Sequence, residues 1–405
     1  MLPAQGLSII EILLFGAISA MATLSRADTF IVDVPTIRPH VLAMATMHAQ
    51  SMVIVRLTDA DGIEGVGEGT TIGGLSYCPE SPESIKSAID TYILPVLKTC
   101  DIAQVGATMA KVSASVRGNH FAKCAVESAL LDIAGKRLGV PVSALISGGA
   151  RRDRLPVAWT LASGDTGRDI AEGEEMLDRR RHRIFKLKIG KRAVRDDVAH
   201  VGTICKALGD RASIRVDVNQ NWSATQASLG MAMLHDVGCD LVEQPTAGDD
   251  IAAMARLTAQ QTIPLMADEA LHGPRSALRI ASAGAADVFA LKIAQSGGLF
   301  AAAEVAAIAA AAGIGLYGGT MLEGSVGTAA SAHVFATVPH LAWGTELFGP
   351  LLQTEEILRE PLDYRDFSLG VPDGPGLGIA FDEDKLAFFR RDRDGPRLHP
   401  VSAGA

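Results

Sequence analysis

Charged residues recur at regular intervals along the second half of the chain, and each closes a short apolar segment. Lys188, Asp217, Glu243, Asp268 and Lys292 follow one another at spacings of 29, 26, 25 and 24 residues. Each spacing is about the length of one strand plus one helix. We therefore predict an α/β fold, a (β/α)8-type (modified TIM) barrel, whose charged side chains emerge together at the C-terminal rim where barrel enzymes place their active sites.

The apolar segments themselves number eight, and Ala-rich segments of helical length separate them. The last strand–helix units look short or irregular. The predicted strands are residues 157–161, 184–189, 213–218, 241–243, 264–267, 288–293, 315–317 and about 341–344.

The first half of the chain has a different pattern. Residues 28–68 alternate between apolar and polar, and Asp61-Gly62 lies between two such runs, which predicts a hairpin. Residues 82–139 are helical in character, with Ser81 as a candidate cap and Gly139 as a stop signal. We predict an N-terminal extension at 1–27, an α+β capping domain at 28–150, the catalytic barrel at 151–350, and a segment at 351–405 that packs back on the capping domain.

Composition excludes several classes of protein. Hydrophobic residues make up 48% of the chain, which argues against disorder, and the net charge of −9 argues against nucleic acid as a partner. The five cysteines are scattered without a CxxC pair, which favours a reducing, cytoplasmic location over a disulfide framework or a thiolate zinc site. The apolar run at 9–22 has no Lys or Arg before it and is short for a bilayer span, so we predict neither an export signal nor membrane attachment.

Three of the charged residues are carboxylates from consecutive predicted strands. Alone, each of Asp217, Glu243 and Asp268 is more simply explained as a solvated loop residue or a helix cap. Together at one rim they would repel one another unless a cation neutralised them. Oxygen ligands without His or Cys favour Mn²⁺ or Mg²⁺ over zinc.

Three lysines accompany the carboxylates at the predicted rim. Lys186 and Lys188 lie two residues apart on one strand, so their side chains point the same way, and Lys292 approaches from the opposite side of the ring. A cation flanked by lysines suits proton transfer at the carbon α to a carboxylate, through an enediolate, and we expect a lowered lysine pKa in such a site.

Several segments of the chain resemble the muconate-lactonizing subgroup of the enolase superfamily, from about residue 28 to 390. They include PTIRPH at 35–40, TTIGGLSY at 70–77, RVDVNQ at 215–220 and WGTELFGPLL at 343–352. The resemblance implies the interconversion of cis,cis-muconate, a small dicarboxylate, and muconolactone in catechol catabolism through the β-ketoadipate pathway. It also implies a homo-oligomer, an octamer in this family.

The resemblance further implies roles for individual residues. Lys188 would exchange the proton, while Lys186 and Lys292 would supply positive charge on opposite faces of the substrate. Glu323 and Glu346 would be further catalytic residues, acidic groups near the substrate or the lysines. Asn219 would support the metal ligands or Lys188, and the residues expected to bind the substrate are Ile72, Tyr77, Asn219 and Phe348.

Other functions stay open at this point. Chloromuconate cycloisomerase, o-succinylbenzoate synthase and dipeptide epimerase would keep the same lysines and metal ligands. A Schiff-base aldolase using Lys292 would need no metal, and a non-catalytic binding barrel would be expected to lose a ligand or a lysine. His182 and His200 are predicted to lie on the surface.

Overall fold

The computed structural model describes residues 21–41, 45–393 and 400–403. The apolar run at 9–22 therefore lies outside the described residues except for Met21 and Ala22. None of the helices in the described part of the chain combines the length and the hydropathy that a transmembrane span requires.

An antiparallel sheet opens the chain. It contains β1 (Leu24–Val41), β2 (Ala45–Asp59) and β3 (Glu64–Thr70), with β2 paired to both neighbours. The turn between β2 and β3 contains Gly62 at φ +84°, a left-handed conformation that glycine adopts without strain. This confirms the hairpin predicted at Asp61-Gly62.

Helices pack on this sheet. The longest, His120–Leu138, ends at Gly139 in the left-handed conformation, as predicted. It lies so close to β3 that a Cβ atom on Gly67 would come within 1.9 Å of the Ala125 carbonyl oxygen. The helices are α1 (Pro82–Ala88, capped by Ser81), a π-helical turn (Ile89–Ile93), α2 (Leu94–Leu97), α3 (Val105–Ser115), α4 (His120–Leu138) and α5 (Val142–Ser147).

A parallel sheet of seven strands follows, with the strands in sequence order from one edge to the other. The strands are almost entirely buried, because helices cover the sheet from outside and side chains fill it from within. A short strand, β4 (Arg154–Pro156), precedes them; the seven are β5 (Trp159–Leu161), β6 (Ile184–Lys188), β7 (Ser213–Asp217), β8 (Leu241–Glu243), β9 (Leu265–Ala267), β10 (Val288–Leu291) and β11 (Gly315–Gly318).

The helices between and after these strands alternate with them as the sequence predicted. They are α6 (Thr166–Asp178), α7 (Val194–Leu208), α8 (Ala224–Asp236), α9 (Ile251–Gln260), α10 (Pro274–Ala283), the short α11 (Ile293–Ser296), α12 (Leu299–Ala312) and α13 (Ser325–Thr337).

The prediction of an eighth strand at 341–344 is wrong. Gly344 takes a left-handed φ of +70°, so the chain turns instead of extending there. The next residue, Thr345, forms isolated parallel bridges to both Val157 and Gly318. A single residue thus joins the two edges of the seven-stranded sheet where a full strand was expected.

The C-terminal part contacts both earlier regions. After a 3-10 turn (Gly349–Leu352), β12 (Tyr364–Arg365) and β13 (Ser368–Gly370) form a small sheet with β4. Helix α14 (Glu383–Phe389) follows, Arg390 bridges to Val32, and β14 (Val401–Ala403) pairs with β2. The domain boundaries at 28, 150 and 350 stay predictions.

The prediction that His182 and His200 are surface residues is wrong, because both are buried. The His182 ring stacks on Trp159, and its Nδ1 atom lies 2.9 Å from the Val157 carbonyl oxygen. The five cysteines are all free thiols.

Candidate active site

The ends of adjacent strands bring the predicted charged residues to one rim. In the register of the sheet, Lys188 on β6 pairs with Asp217 on β7, and Asp217 pairs with Glu243 on β8. Asp268 and Lys292 follow immediately after β9 and β10. The charged residues that recur at regular spacing in the sequence therefore form a ring in the structure.

Lys186 lies at the centre of the carboxylates. Its Nζ atom is 3.0 Å from Glu243 Oε2, 2.6 Å from Glu346 Oε1 and 3.5 Å from Asp217 Oδ2. Burial disfavours the charged ammonium, but Glu243, Glu346 and Asp217 outweigh burial and raise the pKa of Lys186 well above its usual value. Lys186 therefore carries a fixed positive charge.

Lys292 has a similar environment on the other side of the ring. Its Nζ atom lies 2.7 Å from Asp268 Oδ1 and donates to the Tyr77 hydroxyl at 3.1 Å. The Tyr77 hydroxyl in turn donates to Asp268 Oδ2 at 2.7 Å. Burial opposes the charge of Lys292, but Asp268 and Glu243 raise its pKa. The lowered pKa was expected for a lysine beside a bound cation and stays a prediction; next to carboxylates, Lys186 and Lys292 have raised pKa values.

Lys188 differs from the other two lysines in its access to solvent. Its side chain is 28% exposed, against 4% for Lys186 and Lys292. It donates to Asp217 Oδ2 at 2.6 Å and to Asn219 Oδ1 at 3.2 Å. Because the Asn219 amide nitrogen donates to Glu269 at 3.1 Å, the amide is oriented with its oxygen toward Lys188.

The three carboxylates predicted as metal ligands are buried, and their pKa values are shifted in different directions. Burial opposes ionisation of Asp217, but Lys188 and Lys186 lower its pKa to about 2. Burial, with Asp217 close by, instead raises the pKa of Glu243 well above its usual value. Lys292 lowers the pKa of Asp268 against the effect of burial.

The donor chemistry of Asp217, Glu243 and Asp268 fits a hard divalent cation. All three supply carboxylate oxygens, and Glu243 Oε1 is buried without a hydrogen-bond partner among the described residues. In the conformation seen here, each carboxylate contacts a lysine, and no three acidic, His or Cys side chains in the described part of the chain are arranged to hold one ion.

A cavity of about 30 Å³ lies among these residues. Most of the residues predicted near the substrate line it: Ile72, Tyr77, Lys186, Lys188, Asp217, Asp268, Lys292, Glu346 and Phe348. Glu243 and Asn219 contact the lysines without lining the cavity. Tyr77 also lines a larger outer cavity of about 680 Å³.

Glu323 is not among the residues that line the cavity. Its carboxylate accepts hydrogen bonds from the Thr320 hydroxyl and the Met321 amide, and burial raises its pKa.

Sequence reasoning missed four residues that line the cavity: His40, Thr160, Thr320 and Leu322. Thr160 could have been found, because it lies on the first barrel strand and pairs in register with Lys186. His40 belongs to the PTIRPH segment, but its position over the barrel follows only from domain packing. Thr320 and Leu322 belong to the loop after β11, where sequence reasoning chose Glu323.

Comparison with known proteins identifies the family. Residues 26–147 match the mandelate racemase/muconate lactonizing enzyme N-terminal domain, and residues 168–385 match the enolase C-terminal domain-like family.

Relatives of known function extend over nearly the whole chain. Muconate cycloisomerase 1-1 of Acinetobacter lwoffii is 58% identical over 91% of this chain and 97% of that protein. A chloromuconate cycloisomerase of Cupriavidus necator is 45% identical over 90% of this chain and 98% of that protein. The structure of a muconate lactonizing enzyme from Pseudomonas fluorescens, complexed with muconolactone, superposes with a TM-score of 0.90 at 58% identity, covering 92% of this chain and 100% of that one. The chain therefore belongs to the mandelate racemase/muconate lactonizing enzyme family of the enolase superfamily.

Proposed function

We propose that this protein is an isomerase that interconverts cis,cis-muconate and muconolactone in the breakdown of catechol through the β-ketoadipate pathway. The observation that carries the proposal is the buried ring in which Lys186 and Lys188 face Lys292 across three carboxylates. The 58% identity to a muconate cycloisomerase over 91% of this chain supports the choice of substrate.

The reaction adds one proton to the substrate. One carboxylate oxygen of the muconate dianion forms a C–O bond with the far double bond, and the carbon α to the other carboxylate takes up a proton. We assign this proton to the Lys188 ammonium, because Lys188 is the most solvent-accessible of the three lysines and can exchange its proton with water. In the reverse direction neutral Lys188 removes the same proton.

Lys186 and Lys292 act as fixed charges in this proposal. Neighbouring carboxylates keep both ammonium groups protonated, so each offers positive charge where negative charge develops on the substrate. Glu346 holds Lys186 in place, and the Asn219 amide oxygen directs Lys188.

Muconate cycloisomerases of this superfamily use a divalent metal. We propose Asp217, Glu243 and Asp268 as its ligands, with Mn²⁺ or Mg²⁺ as the ion. When bound, such an ion would act as a Lewis acid that stabilises negative charge on the substrate carboxylate.

The remaining predicted residues shape the cavity. Ile72, Tyr77 and Phe348 line it and would exclude water from the reacting carbons. We assign Glu323 a structural role within its loop, since it contacts Thr320 and Met321. A cytoplasmic location and a homo-octameric assembly stay predictions.

The test is metal-dependent turnover. Protein treated with EDTA should lose activity on cis,cis-muconate, followed by its ultraviolet absorbance, and Mn²⁺ should restore it. Lys188→Ala should lower kcat by about 10²–10⁴-fold, the usual contribution of a general acid. In ²H₂O the wild type should place one deuterium on the α carbon of the lactone.

The matched control is Lys206→Ala, since Lys206 is exposed on α7, and it should keep wild-type activity. If muconate is not converted but chloromuconates or N-acyl amino acids are, the substrate assignment is wrong. If Lys188→Ala turns over muconate at the wild-type rate, the assignment of Lys188 is wrong.

A further inference from the structure

The loop after β11 forms part of the wall of the catalytic cavity. Thr320 and Leu322 line the cavity, and Gly319 lies so close to Lys292 that a Cβ atom there would be 2.8 Å from Lys292 Cγ. Leu322 has a φ of +59°, a left-handed conformation that leucine rarely adopts. Such a conformation persists only where surrounding contacts hold it.

Side chains of the N-terminal sheet supply those contacts. Gln50 on β2 donates from Nε2 to the carbonyl oxygens of Met321 at 3.2 Å and Leu322 at 2.8 Å. Glu68 on β3 accepts from the amide of Gly324 at 2.6 Å and from the amide of Gly327 at 2.8 Å. The backbone is therefore anchored on both sides of Leu322 by residues distant in sequence.

Glu68 also acts as the cap of a barrel helix. Gly324 is the N-cap residue of α13, and no side chain within the helix terminus caps it. The Glu68 carboxylate takes that role from another part of the fold by accepting from the Gly324 and Gly327 amides. Burial raises the pKa of Glu68 to about 7, while the hydrogen bonds from Thr70, Gly327 and Gly324 act in the opposite direction and favour the ionised form.

The chain contains a second buried glutamate at the N-terminus of a barrel helix. Glu127 on α4 is buried and accepts from the Phe300 amide at 2.9 Å, at the N-terminus of α12. A Cβ atom on Gly298 would come within 2.5 Å of its carboxylate. Neither Phe300 nor its neighbours line the catalytic cavity. Glu127 thus shares the capping role of Glu68 without its connection to the site.

We propose that Glu68 is a positioning residue for catalysis: by holding the Gly324 and Gly327 amides, it fixes Thr320 and Leu322 against the bound substrate. This inference rests on the proposed function, because the substrate used to test it is muconate. Glu68 itself does not line the cavity, so it acts through the loop.

The first experiment compares Glu68→Gln with Glu127→Gln. At position 68 a glutamine offers one acceptor oxygen where the Gly324 and Gly327 amides need one each, so Glu68→Gln should lose one buried hydrogen bond and some thermal stability. Glu127→Gln makes the same chemical change at the N-terminus of α12, where the glutamine oxygen can still accept from the Phe300 amide. Only Glu68→Gln should raise the KM for cis,cis-muconate, by about tenfold, with kcat within about threefold of wild type. Equal changes in KM for the two variants would overturn the proposal.

The second experiment does not depend on turnover. Amide hydrogen exchange at residues 319–327, measured by mass spectrometry without substrate, should be faster in Glu68→Gln and unchanged in Glu127→Gln. If wild-type protein is inactive on muconate, the proposed function fails, while this measurement still decides whether Glu68 orders the loop.

A further variant tests the contact between β2 and the same loop. Gln50→Leu removes both hydrogen bonds to Met321 and Leu322, so it should reproduce the rise in KM and the faster exchange even if Glu68→Gln does not fold. Faster exchange in Gln50→Leu together with a wild-type KM would show that the order of the loop does not affect the substrate, and would overturn the proposal.

Discussion

At the scale of single residues, identical side chains have different properties in this site. Lys186 and Lys188 lie in one apolar strand and Lys292 directly follows another, and the sequence separated their roles only through the family resemblance. The structure distinguishes them by exposure, since the Lys188 side chain is 28% exposed and those of Lys186 and Lys292 are 4% exposed. Side-chain chemistry was predictable, whereas protonation behaviour depends on neighbours in space.

A second titratable residue illustrates the effect of burial on stability. His333 is fully buried in α13, its Nε2 atom lies 3.2 Å from the Leu377 carbonyl oxygen, and its Nδ1 atom has no partner among the described residues. Burial lowers the pKa of His333 from 6.5 to about 4. Between these values the unfolded chain binds a proton that the folded chain does not, so stability falls as pH falls through this window.

His333→Gln tests this effect. Glutamine can keep the hydrogen bond to Leu377 but does not titrate. Between pH 7 and pH 5 the wild type should therefore lose about 1–2 kcal/mol more free energy of unfolding than the variant. Urea denaturation at each pH measures the difference, and exposed His235→Gln is the control, expected to keep the wild-type slope. Parallel pH profiles for wild type and His333→Gln would show that His333 does not couple folding to protons.

At the scale of elements, the closure of the barrel is the point where sequence and structure differ. Seven of the eight predicted strands were found, because each is a short apolar run followed by a helix. The eighth failed because Gly344 turns the chain and leaves only Thr345 between the sheet edges. The Thr345 amide donates to the Pro156 carbonyl at 2.8 Å, and the Ala158 amide donates to the Thr345 carbonyl at 2.7 Å.

Thr345→Pro should disrupt the contact by which Thr345 joins the two edges of the barrel sheet. Proline removes the donor to Pro156, so we expect a loss of about 3 kcal/mol or more in the free energy of unfolding, measured by urea denaturation with tryptophan fluorescence. Activity should also fall, because Glu346 is the next residue and contacts Lys186.

Thr345→Val is the matched control. It keeps the backbone donor and loses only the hydroxyl bond to Pro156, so it should cost about 1 kcal/mol. Equal losses in the two variants would mean that the backbone bridge does not stabilise the barrel.

At the scale of the whole molecule, the N-terminal sheet covers the barrel rim. His40, Ile72 and Tyr77 enter the catalytic cavity, which has a volume of about 30 Å³, from the N-terminal part of the chain. Segments outside the barrel therefore form part of the cavity wall. Arg38, two residues before His40, forms two hydrogen bonds with Glu172 on α6, at 2.9 and 3.1 Å.

Arg38→Ala should weaken this closed arrangement. Glu172 also accepts from the Trp159 indole at 2.9 Å, and the Trp159 and Phe348 ring centroids are 5.2 Å apart. Because Phe348 lines the cavity, Trp159 links the Arg38–Glu172 contact to the cavity wall. We expect KM for cis,cis-muconate to rise by about three- to tenfold, since a partly exposed bidentate pair contributes about 1 kcal/mol.

Steady-state kinetics check this expectation. The control is Arg179→Ala, whose ion pair with Glu175 is exposed and lies at the end of α6. If both arginine variants have the wild-type KM, the Arg38–Glu172 contact does not stabilise the closed site.

The barrel class and the residues at its rim could be predicted from the sequence, because short apolar runs and the regular spacing of charged residues are visible in the chain itself. The family was indicated by the resemblance of particular segments. The closure of the barrel at Thr345, the burial of His182 and His200, and the contacts of Gln50 and Glu68 with the loop beside Lys292 could be seen only in the tertiary structure. These features depend on contacts between residues far apart in sequence, and such contacts form only when the N-terminal sheet and the barrel pack together.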